Sequence, residues 1–164
     1  MQSTGGAGIA KKIILSVYQD SSFSITVIAG KDGSGYDDLH KVLIWDRENV
    51  SYNPDTKVYN SPAIGLLHEL THAWIDNTKE GRRLFNFFVD ANKVSLDKMY
   101  DAYLEDSITP EISRIQFYKE QFTTEIEKVV SIDLEKKARR NLYFELDSLH
   151  IIKVNSVLES GLVE

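Results

Sequence analysis

Ser61-Pro-Ala-Ile-Gly-Leu-Leu-His68-Glu69-Leu-Thr-His72-Ala-Trp-Ile-Asp76 contains the pattern His-Glu-x-x-His. On a helix His68 and His72, four residues apart, lie one turn apart on one face. Two imidazoles so placed can reach one zinc ion, and Glu69 between them can reach a water on that ion. The stretch reads as a helix. Ser61 is a capping residue type, Pro62 suits the first helical position, and Leu66, Leu67, Leu70, Ala73 and Trp74 follow at helical spacing. Average composition gives this pattern by accident in about one chain of such length in two hundred. Here its flanks are apolar, and two of the chain's 4 histidines fall in it.

Composition narrows the chemistry. With 164 residues, the chain is long enough for one domain with a core. Its net charge is −6, from 19 Lys and Arg against 25 Asp and Glu, which disfavours nucleic acid as a partner. Cysteine is absent, so a zinc site must use histidine and carboxylate. No run has the length and apolarity of a bilayer span, and the beginning lacks a secretory apolar segment. Residues 1–10 read as a flexible leader, and residues 11–164 as a single domain.

Upstream of the motif, Ile13–Tyr18, Phe23–Ile28 and Val42–Trp45 read as strands, the second alternating apolar and polar. Gly30–Gly35 is a turn cluster, and Asn53-Pro-Asp55 is another turn. Val42–Trp45 is the candidate for a free edge that could pair with an extended peptide, an interior strand being the alternative. Downstream, the motif helix should fade between Asn77 and Gly81. Leu84–Val89 reads as core, Ala91–Asp106 as helix or loop, and Thr109-Pro110 as a helix start. Ile112, Ile115, Phe122, Ile126 and Val129 mark a helix over Glu111–Val130. A further helical piece spans Leu134–Leu142, and Phe144–Val154 could be a late strand. The expected class is therefore α+β and zincin-like. A small, mostly antiparallel N-terminal sheet precedes the motif helix and a helical C-terminal part.

A catalytic zinc takes three protein ligands and a water. Glu125 is the preferred third ligand, because Phe122 and Val129 place it on the inward face. Glu120 and Glu127 then face elsewhere, toward solvent. Glu135 and His150 are alternatives, and Asp76, one turn beyond His72, could orient that ring or lie at the surface.

Pro62–Trp74 resembles the pattern of the NleD-like effector metalloproteases, single-domain bacterial zinc proteases. More distantly it is similar to the clostridial neurotoxin light chains, with their His-Glu-Leu-x-His motif. The resemblance implies a downstream glutamate ligand, best matched at Thr124-Glu125-Ile-Glu127, and an Arg-x-x-Tyr pair, matched by Arg140-Asn-Leu-Tyr143. It implies a zinc endopeptidase with one zinc ion, delivered by a specialised secretion system into a host or rival cell; separately, a monomer is the expected state. A host signalling kinase is the substrate it suggests. Glu69 would act as general base, Tyr143 would stabilise the oxyanion, and Arg140 would supply positive charge near the substrate carbonyl. Two other functions compete: a non-catalytic zinc-binding or protein-interaction module retaining the motif helix, and a metal-free adaptor built on Phe85–Val89.

Overall fold

A computed structural model describes residues 5–31, 33–53, 58–106, 112–135 and 150–153. The class is α+β. Helix α1 (Gly6–Gln19) is followed by strands β1 (Thr26–Ala29), β2 (Gly35–Asp37), β3 (Val42–Trp45), β4 (Asn49–Asn53) and β5 (Val58–Asn60). Helices α2 (Pro62–Asn77), α3 (Lys79–Asp106) and α4 (Arg114–Glu135) come next, then strand β6 (His150–Lys153).

Helix α1 replaces the strand expected over Ile13–Tyr18 and begins inside the stretch read as a leader. Ile9, Ala10, Ile13 and Val17 recur at helical spacing and meet the core, while Ile14, Leu15 and Tyr18 face outward. Its N-terminus is satisfied from α4: the Ala7 amide donates to Asp133 Oδ2 at 2.9 Å. Gly6 allows this approach, since a Cβ there would lie 2.5 Å from the Val129 carbonyl oxygen.

The first sheet has the order β1-β3-β2, with β1 parallel and β2 antiparallel to β3. It is mixed rather than mostly antiparallel. Val42–Trp45 is its central strand, not its edge, so both its rows of backbone groups are already paired. Leu43 is fully buried on one face of this strand, whereas Ile44 on the other face is exposed. The second sheet, β5-β4-β6, is antiparallel and places His150–Lys153 within the stretch read as a late strand.

Strand β5 runs into α2 at Ser61 and Pro62. Ser61 begins the helix through its backbone: its carbonyl accepts from the Ile64 amide at 3.0 Å, and its side chain makes no capping bond. The Trp45 indole donates to the Pro62 carbonyl at 3.0 Å, fastening β3 to the start of α2. Thr78 ends α2 and starts α3. Its hydroxyl donates to the Trp74 carbonyl at 2.8 Å and accepts from the Gly81 amide at 2.9 Å. A Cβ at Gly81 would overlap the Trp74 carbonyl, so this corner admits only glycine.

Helices α1, α3 and α4 all pack against α2 or one another around a core that includes Trp74, Ile75, Phe85, Leu96, Tyr100, Phe117, Phe122 and Ile126. Ala91–Asp106 is helix throughout. Within the run read as core, Phe85 is buried but Phe87 is exposed. Thr109 and Pro110 lie outside the described residues, as does most of Leu134–Leu142. No helix among the described residues is long and apolar enough to cross a membrane.

Candidate metal centre

Two helices build the site. Helix α2 carries His68, Glu69 and His72, and α4 crosses it with a buried polar stripe. Glu120, Thr124, Glu127 and Ser131 recur at intervals of four, three and four residues along α4, and therefore share one helical face. Thr124, Glu127 and Ser131 are almost fully buried, and the Glu120 side chain is only 13% exposed. Phe117, Phe122, Ile126 and Val130 occupy adjoining buried positions, because α4 packs against α1, α2 and α3.

His68 Nε2, His72 Nε2 and Glu120 Oε2 form a triangle with all three edges 3.2 Å long. The rings meet edge to face, with centroids 5.0 Å apart. Hydrogen bonds alone serve this triangle poorly. The two Nε2 atoms face each other with at most one proton between them, and both face the same oxygen. A tetrahedral ion bound at about 2.0–2.1 Å separates its donors by about 3.3–3.4 Å, close to the spacing observed. The donor types also agree, being two imidazoles and one carboxylate.

The surrounding groups hold these donors in place. Glu120 Oε1 accepts from Gln116 Nε2 at 2.8 Å, which leaves Oε2 directed at the imidazoles. His68 Nδ1 lies 3.0 Å from Glu127 Oε2. A carboxylate only accepts, so Nδ1 carries the proton and donates it. The Glu127 side chain is 2% exposed.

Charge points the same way. Three carboxylates, Glu69, Glu120 and Glu127, gather around two imidazoles in a largely buried space. Such an excess is costly unless a cation balances it. In the metal-free protein a proton serves in part. Burial disfavours the His68 imidazolium, but hydrogen bonds to Glu120 and Glu127 outweigh it and raise the pKa to about 9. Burial acts to raise the Glu120 carboxyl, yet His68 and His72 hold it well below the ordinary carboxylate range. Glu69 moves upward: its burial outweighs the attraction of His68 and His72. A carboxylate raised in this way is a stronger base at neutral pH than an exposed one.

The structure therefore brings His68 and His72 together as expected, but with Glu120 beside them. Glu120 and Glu127, expected in solvent, are buried against α2. Glu125 stands outside the group, where it accepts from Gln121 Nε2 at 3.3 Å. The inward face of α4 is rotated from the expected one: Val129, which served to place Glu125 inside, is 43% exposed. Asp76 pairs with Lys119, the neighbour of Glu120, rather than serving the His72 ring. Glu135 ends α4 and His150 begins β6, and their side chains lie outside the description. Arg140 and Tyr143 also lie outside the described residues. The sequence did carry a signal for Glu120 and Glu127, in the helical spacing of the polar stripe.

The geometry thus defines a His-His-Glu group able to hold a metal ion, on an α+β scaffold. No protein-family model, curated protein or solved structure matches the chain.

Proposed function

We propose that the chain is a zinc-dependent endopeptidase. The observation that carries this reading is the triangle of His68, His72 and Glu120 donors, with Glu69 next to His68 on the same helix. Three protein ligands of this kind are the complement of a catalytic zinc site, whereas structural sites close with four. Zinc, when bound, lowers the pKa of a water to about 7 and polarises a carbonyl. His68, His72 and Glu120 would hold the ion, and Gln116 would keep Glu120 turned toward it. Glu69 would accept the proton of the attacking water and pass it to the leaving amine. Burial raises its carboxyl above the usual carboxylate range, the direction that strengthens a general base. A purely structural site has no use for a base at this position, which disfavours the non-catalytic alternative.

The setting of a secreted effector or toxin acting on a host or target protein rests on the resemblance of Pro62–Trp74 to effector metalloproteases. Roles for Arg140 and Tyr143 in substrate polarisation and oxyanion stabilisation rest on the same resemblance. Proteolysis of an unfolded protein substrate, with and without a chelator and with zinc restored, tests the central activity. Cleavage that is abolished by chelation and recovered with zinc is expected; cleavage indifferent to chelator refutes it.

A further inference from the structure

Glu127 has no part in the water chemistry just described, yet it is almost fully buried, and its carboxylate meets a ring nitrogen of the first histidine. We infer that Glu127 is the positioning residue of this site: it fixes the tautomer and orientation of His68, so that Nε2 is the nitrogen offered to the metal. This inference rests on the zinc reading of the site.

The geometry supplies the reason. An imidazole has two nitrogens, and only an unprotonated one can bind a metal. Glu127 Oε2, 3.0 Å from Nδ1, stabilises the proton there and leaves the lone pair on Nε2. Nε2 is the atom that shares the 3.2 Å triangle with His72 and Glu120. The arrangement is also economical in sequence. Glu120 and Glu127 lie seven residues apart, two helical turns, so one face of α4 delivers both a carboxylate for the metal and a carboxylate for its ligand. Thr124 fills the turn between them and is fully buried. A negative charge at Glu127 also raises the electron density of the His68 ring and so strengthens it as a ligand.

The test is a comparison of the wild-type chain with Glu127→Gln and Glu127→Ala. Zinc affinity is measured by competition with a chromophoric chelator, and the histidine tautomers of the zinc-loaded protein are read by nitrogen-15 NMR. Glu127→Ala should weaken zinc binding about 10–100-fold, and Glu127→Gln, which keeps an acceptor oxygen but no charge, by less. The wild type should show a protected Nδ1 proton on His68, and Glu127→Ala should lose that protection. Glu127→Gln is nearly isosteric and serves where the alanine variant does not fold. Unchanged affinity in both variants, or His68 bound through Nδ1 in the wild type, overturns the inference while leaving the metal site intact. A wild-type chain that takes up no zinc overturns the site itself.

Discussion

Exchanging the two candidate carboxylates of α4 one at a time separates the observed site from the one that apolar periodicity favours. Glu120→Ala removes an oxygen 3.2 Å from both Nε2 atoms, whereas Glu125→Ala removes a group whose described contact is a 3.3 Å bond from Gln121. Loss of an indirect partner to a ligand typically costs about 10–100-fold in metal affinity, so loss of the ligand itself should exceed about 100-fold. That factor corresponds to about 2.7 kcal/mol of binding free energy. Glu125→Ala should stay within about twofold, the level of a surface substitution. The assay is equilibrium competition for zinc at fixed pH, with circular dichroism to show that each metal-free variant keeps its helices. Glu120→Ala also removes a carboxylate that opposes His68, so its metal-free form should be less stable at neutral pH. If Glu125→Ala loses zinc and Glu120→Ala retains it, the placement of α4 against α2 is wrong, and with it the assignment of the third ligand.

Glu69→Gln should keep wild-type zinc affinity and lose about 10²–10⁴-fold in peptide cleavage, since the amide cannot take the water proton; full activity would remove Glu69 from the base role. Zinc uptake should be coupled to proton release. His68 is raised to about 9 in the metal-free protein, so at pH 7–8 binding should displace about one proton, measured by calorimetry in buffers of different ionisation enthalpy. Because that folded value lies above the ordinary one near 6.5, its contribution to metal-free stability is complete below about pH 6.5. It is lost as pH rises through about 9, so urea midpoints should fall over that window without zinc. Gly81→Ala should destabilise the fold by about 1–3 kcal/mol in urea titration, because the new Cβ meets the Trp74 carbonyl at the α2–α3 corner; an unchanged midpoint would show that the corner is looser than described.

The motif helix is legible in sequence because its signals are local. Pro62 fixes the first turn, Thr78 and Gly81 fix the end, and the spacing of His68 and His72 needs only a helix to place both rings on one side. Val42–Trp45 is likewise visible as a strand, but its neighbours are not, since pairing partners come from distant sequence. Helix α1 is misread because Ile13, Ile14 and Val17 favour strands, and its helical face becomes visible only once α4 packs on it. The side chain grouped with His68 and His72 is hidden from the sequence for a related reason. A sequence rule assigns the apolar stripe of α4 to the inside and charged residues to solvent. This helix is covered on several sides, so it buries a polar stripe beside an apolar one, and Glu120 and Glu127 belong to the first. An excess of buried carboxylates is what a metal site needs and what hydrophobic periodicity is built to reject.

The most direct measurement is an anomalous difference map at the zinc absorption edge from crystals of the zinc-loaded protein. One peak is expected, bonded to His68 Nε2, His72 Nε2 and Glu120 Oε2, with a solvent molecule completing the shell. A peak whose remaining position is closed by a fourth side chain, or no peak between the two imidazoles, would contradict a catalytic zinc centre in this chain.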